Sequence, residues 1–214
     1  MPKLYMSNKD ESARLFKSDF LELFTHVHWS VPIILYGPVI AYFLYRASGT
    51  SDLGLVNGIL FFVLGVFVWT LTEYLLHRFV FHYEPSSKWG KQLHFLMHGV
   101  HHDYPNDSKR LVMPPVVSIP LAALFYFAFL FVVGGSALLA FFPGFLVGYI
   151  CYDEIHYATH HAPMKSRTWQ WLKHHHVLHH YHDPYKGYGV SSPLWDVVFR
   201  TLDTEEEKQA VPQS

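Results

Sequence analysis

Cysteine is nearly missing from this sequence: Cys151 is the only one in 214 residues. An internal disulfide framework is therefore excluded. So is a zinc or iron–sulfur site built on thiolates, which needs several sulfur ligands. Charge is scarce as well. Asp, Glu, Lys and Arg make up 15% of the chain, against about 25% in a soluble domain, so much of the surface does not face water. The charges present nearly cancel, leaving a net of -1 and no basic footprint for nucleic acid. Residues 1–20 lack the apolar core and small-residue cleavage site of a signal peptide.

Hydrophobic side chains make up 50% of the residues, and they are bunched. Apolar runs cover about 29–45, 55–76, 116–133 and 137–152. They are apolar around the whole circumference rather than along one stripe, the pattern of lipid contact or full burial. A bilayer span needs roughly 17–25 apolar residues, which the second and third runs meet easily and the first and fourth approach. The predicted fold class is all-α integral membrane, with four transmembrane helices. A soluble bundle with buried core helices is the alternative, but the chain has too few polar helices to cover four such runs. Residues 1–28 read as a cytosolic N-terminal segment, 29–202 as one membrane-embedded domain, and 203–214 as a disordered tail.

The basic residues orient these spans. Lys3, Lys9, Arg14 and Lys17 precede the first; Arg78, Lys88, Lys91, Lys109 and Arg110 lie between the second and third; Lys165, Arg167, Lys173, Lys186 and Arg200 follow the fourth. The first connection holds Arg46 and Asp52, and the third is little more than Gly134-Gly135-Ser136. The positive-inside rule then puts both ends and the long middle loop in the cytoplasm.

Histidine is what the chain has in excess. Of its 17 histidines, all but His26 and His28 lie between His77 and His182, in four clusters: HRFVFH, HFLMHGVHH, HYATHH and HHHVLHHYH. All four fall on the predicted cytoplasmic side. His98, His101 and His102 are spaced i, i+3, i+4, as are His176, His179 and His180, offsets that share one helix face. His156 and His160 are i, i+4, with His161 beside them, and the five-residue step from His77 to His82 suits a helix end loosening toward a loop. That convergence is too rich for one metal ion and suits two. Nitrogen-rich ligation without thiolate suits iron or zinc, and a redox pair of irons can activate dioxygen. A metal-transport path or a storage site is the alternative. Ligands outside the spans favour an anchored catalytic site, since transport sites sit near the midplane. His94, four residues before His98, is a ligand or a supporting partner. Asp103, Asp153 and Glu154 adjoin the clusters and either orient imidazoles or are solvated charges at the membrane edge. His174, His175 and His182 are surplus in their tract, and the segment 187–202 reads as folding back on the site.

The clusters and their order, carried by HRFVFH, HFLMHGVHHDYPNDSKRLVMPP and HHHVLHHYHDPYKGYGVSSPLWDVVFRTL, resemble the membrane fatty acid hydroxylase superfamily of histidine-rich di-metal oxygenases. Within it, the likeness is strongest to the fatty acid 2-hydroxylases of sphingolipid acyl chains. The resemblance covers roughly 77–202. It implies a cytosolic helical cap over the four spans, holding two metals: iron in the active enzyme, with zinc possible in isolated protein. It implies O2-dependent hydroxylation of an acyl chain at the carbon next to the carbonyl. The implied ligands are His77, His82, His98, His101, His102, His156, His160, His161, His176, His179 and His180. A sterol oxidase, carotenoid hydroxylase or desaturase of the same superfamily is the nearest rival. Some members carry a fused b-type cytochrome, which is expected to be absent here. A separate electron donor is then expected, a b-type cytochrome or a ferredoxin with its reductase. The expected location is the endoplasmic reticulum or a bacterial inner membrane.

Overall fold

The computed structural model describes residues 4–203. Among them there is helix and no strand. In chain order the elements are α1 (Asp19–Leu23), α2 (Val31–Ser48), α3 (Leu55–Leu76), a π-helical turn (His77–Phe81), α4 (Lys88–His94), a second π turn (Phe95–Gly99), α5 (Val100–Asp103), α6 (Pro115–Val132), α7 (Leu138–His161), α8 (Arg167–Tyr181) and α9 (Leu194–Phe199).

Four helices are long and apolar enough to cross a membrane: α2, α3 with its π turn, α6 and α7. Two of them run at least five residues past the ends of their apolar runs. The second continues to Phe81, and the fourth continues past residue 152 to His161, because a helix carries on once its hydrogen-bond ladder is running. The histidine clusters at both ends are therefore rigid extensions of membrane helices. The cap helices start differently. The Ser87 hydroxyl accepts from the N–H of Gly90 at α4, and the Ser166 hydroxyl from the N–H of Trp169 at α8, each satisfying a free amide of the first turn.

α7 is the central helix. About two-thirds of its apolar window is buried, against about a tenth or less for the other three, which turn side chains such as Ile34, Leu60 and Phe131 outward. Glycines set the α3–α7 distance. A Cβ placed on Gly65 would lie 2.1 Å from the Phe141 carbonyl oxygen, and one on Gly144 would lie 2.0 Å from that of Phe62. Small residues in register let two membrane backbones touch, and dispersion then holds them. Around this contact Trp69, Phe141, Phe145 and Tyr149 form the apolar core.

The connections α2–α3 and α6–α7 are short and lie at one end of the bundle, while the cap elements gather at the other. The N-terminal segment is strapped across the cap. The N–H groups of Met6 and Ser7 donate to the Asp103 carbonyl, and that of Val27 donates to the Lys109 carbonyl. Arg110, almost wholly buried, ties the strap down through Glu22 at 2.8 Å and Asp107 at 3.1 Å. Asp203, at the start of the expected tail, is buried and bonded to His182 at 2.7 Å. Residues 204–214 lie outside the described residues.

Candidate metal centre

The imidazoles collect into two groups of five. His77, His82, His98, His102 and His179 form the first, and His101, His156, His160, His176 and His180 the second; within each, one nitrogen per residue lies within 4.8 Å of all the others. Helix registers decide the partition. His77 and His82 are five apart, and the π turn closes a bond from the His82 N–H to the His77 carbonyl. That winding brings i and i+5 onto one face; it is wider than an α-helical turn, so the helix end does loosen here, just before the loop that follows His82. In each HxxHH box the i, i+4 pair serves one group and the middle histidine the other: His98 and His102 with His101 apart, His176 and His180 with His179 apart.

The nitrogens point inward. In the first group Nε2 of His98 lies 3.1 Å from Nε2 of both His77 and His102. In the second, the Nε2–Nε2 distance is 2.9 Å for His101 and His156, and 3.0 Å for His160 and His176. Backbone carbonyls set the ring tautomers. Nδ1–H of His77 donates to the Tyr188 carbonyl at 2.6 Å, that of His179 to the Lys186 carbonyl at 2.6 Å, and that of His156 to the Leu111 carbonyl at 2.9 Å. With Nδ1 protonated, Nε2 presents a lone pair.

Burial keeps the rings neutral. It pushes His98, His101, His102, His176, His179 and His180 well below the ordinary histidine range, and the neighbouring imidazoles add to it. His82 is lowered to about 3, mainly by burial and then by His102 and His94. Neutral imidazole is the ligating form. The buried Nε2 atoms of His82 and His179 have no hydrogen-bond partner, which leaves two lone pairs to be satisfied. Imidazole nitrogens bind zinc at roughly 2.0–2.1 Å, so donors this close together suit one ion per group.

Ten of the eleven expected ligands fall in these groups. His161 does not: it stacks on Tyr157 with ring centres 5.0 Å apart, because a step of one residue turns it away from His160. His94 also lies outside both groups. The three carboxylates beside the clusters, read from sequence as orienting imidazoles or as solvated charges, are engaged otherwise or not at all. Asp153 accepts the N–H of Met113, Asp103 contributes its backbone carbonyl to the strap, and Glu154 Oε1 has no partner. Carbonyls do the orienting. His175 and His182 turn to Asp196 and Asp203.

Glu73 and Asp196, both buried, were not singled out from sequence. Glu73 stands within the apolar run LTEYLL, and a carboxylate inside a span is itself a functional signal. It accepts the N–H groups of Val190 and Ser191, each at 2.7 Å, and also the Ser191 hydroxyl.

A cavity of about 420 Å³ touches the centre at His98, His101 and His156. Its other walls are mostly apolar. They come from the strap (Leu15, Phe24), the second π turn (Met97) and the foot of α6 (Val116). Several of these side chains also reach the outer surface, where the cap meets the spans.

A family model described as fatty acid hydroxylase matches residues 62–201. The chain is 41% identical over 195 residues to dihydroceramide fatty acyl 2-hydroxylase FAH1 of Arabidopsis thaliana, covering 91% of this chain and 81% of that one. It is 42% identical to fatty acid 2-hydroxylase of Rattus norvegicus, covering 90% and 57%. It is 41% identical to ceramide very long chain fatty acid hydroxylase SCS7 of Saccharomyces cerevisiae, covering 89% and 49%. A solved structure described as full-length scs7p, with only the hydroxylase domain visible, superposes with a TM-score of 0.82 at 38% identity, covering 92% of this chain and 73% of that one.

Proposed function

The chain belongs to the fatty acid hydroxylase family, and from that premise we propose that it 2-hydroxylates the fatty acyl chain of a sphingolipid. It is an integral membrane enzyme. Its substrate class follows from the names of relatives at about 40% identity. The observation that carries the reading is the apolar cavity, which ends against two histidine groups at the membrane edge.

Each group holds one metal ion, with the ten imidazoles as ligands. Iron bound there would supply the dioxygen chemistry; zinc fits the same nitrogens and can replace it in isolated protein. The balance is one C–H bond, O2, two electrons and two protons, giving C–OH and water. The protein's share is placement. Leu15, Phe24, Met97 and Val116 receive acyl methylenes, which leave the bilayer for the cavity without crossing water. The buried neutral histidines keep the centre dry. The carbonyls of Leu111, Lys186 and Tyr188 fix which nitrogen each ring offers.

Electrons come from a separate donor, a b-type cytochrome or a ferredoxin with its reductase. The centre faces the cytosol, in the endoplasmic reticulum or a bacterial inner membrane. The distribution of lysine and arginine supports that orientation. The deciding experiment is lipid mass analysis of a host expressing the protein. The expected product gains one oxygen at the second acyl carbon. A new double bond, or an oxidised sterol or carotenoid, would reassign the reaction within the superfamily.

A further inference from the structure

We propose that Asp196 is a positioning residue for the first histidine group, acting through the backbone of residues 186–189. The inference rests on reading both groups as metal-binding. Asp196 is fully buried at the heart of a hydrogen-bond hub. Its Oδ1 accepts the Tyr188 N–H at 2.9 Å and the Thr201 hydroxyl at 2.7 Å. Its Oδ2 accepts the Gly189 N–H at 2.7 Å and faces His175 Nε2 at 3.3 Å. An ionised carboxylate has about four acceptor sites, and here the protein addresses all of them.

This hub shapes one turn. The turn is closed by the Gly187 N–H on the Thr201 carbonyl at 2.7 Å. Gly187 has a φ of 68°, a left-handed conformation that glycine adopts without a Cβ penalty. The residues on either side of it supply the two orienting carbonyls, Lys186 to His179 and Tyr188 to His77. One carboxylate thus holds the acceptors that aim two of the five rings in the first group. Glu73 braces the following residues, Val190 and Ser191, from within the membrane helix. The second group has its orienting carbonyl elsewhere, at Leu111. No hydrogen bond joins its five imidazoles to residues 186–191 among the described residues. The effect of Asp196 is therefore confined to one group.

Losing a partner that orients a metal-bound histidine costs about 10- to 100-fold in metal affinity. The test is a titration of metal-depleted, full-length protein in detergent with Co2+, read by visible absorption and by chelator competition. The wild type is expected to take up two equivalents. Asp196→Asn places an NH2 against donors; one equivalent should weaken about 10- to 100-fold and change its spectrum, while the other stays as in wild type. Thr201→Val removes one of the donors to Asp196, together with the Thr201 contact to the Tyr74 hydroxyl at 3.0 Å, and should weaken the same equivalent less. Equal weakening of both equivalents, or of neither, would overturn the proposal. If Asp196→Asn does not accumulate, Thr201→Val carries the same decision. A wild type that takes up fewer than two equivalents overturns the two-metal reading, and this inference with it.

Discussion

His179 belongs to the first histidine group while its chain neighbour His180 belongs to the second. Replacing either by alanine removes one imidazole from its group, a ligand on the proposed reading. Hydroxylated lipid should fall more than about 100-fold, beyond the loss seen when only an orienting partner is removed, as measured by mass analysis of an expressing strain. His161→Ala should leave product within a few-fold, since His161 lies outside both groups. Acid should act on the same residues. The folded-state values of His82, His98 and His102 lie below the ordinary 6.5, so the unfolded chain binds protons first. Their contribution to stability is complete above about pH 6.5 and is lost as pH falls toward the folded values. The unfolding temperature of metal-depleted protein should therefore drop steadily from pH 7 to pH 5. A flat profile would contradict the burial of neutral rings. At this scale the sequence was informative where chemistry repeats and silent where it does not. Spacing pointed to the ten imidazoles that converge in the two groups, but no spacing marks a carbonyl such as that of Tyr188 as the partner of His77.

Among the elements, two contacts bear the most weight. At Gly144 of α7, a methyl group would collide with the Phe62 backbone, and backbone cannot step aside as a flexible side chain can. Gly144→Ala should destabilise the bundle by about 1–3 kcal/mol, read as a lowered unfolding midpoint in detergent titration. Arg110 is the latch of the strap. Arg110→Ala leaves buried Asp107 and part-buried Glu22 without their shared cation, which weakens the strap's hold on the cap. The strap should then become the first site of limited proteolysis while the spans stay intact. The four spans were legible because all-round apolar character has few other meanings. Their true ends were not. Hydropathy falls at Asp153 and at His77, yet helix continues through both, because the ladder of backbone bonds is indifferent to side-chain polarity. The π turns had one clue, the five-residue step between His77 and His82, but propensity does not separate π winding from fraying.

On the scale of the molecule, the bundle is lopsided: two short connections at one end, and strap, cap and both histidine groups at the other. Cysteine labelling can read this directly. With Cys151 replaced by serine, Ser51→Cys and Lys165→Cys should react with an impermeant thiol reagent from opposite sides of sealed vesicles. Labelling of both from one side would refute the four-span topology. The same lopsidedness was readable from lysine and arginine counts, whereas the cavity was not, since its walls come from segments far apart in the chain. The interleaved HxxHH boxes carry one more consequence. His101 and His102 are bonded neighbours assigned to different groups, and so are His179 and His180. The gap between the two groups is therefore spanned twice by a single peptide unit, whose Cα–Cα length is about 3.8 Å and does not stretch. Breathing of the bundle, a change of detergent or a remote substitution can tilt the cap. None of these can draw the two groups further apart than side chains on adjoining residues reach, so the chain itself sets an upper bound on their separation.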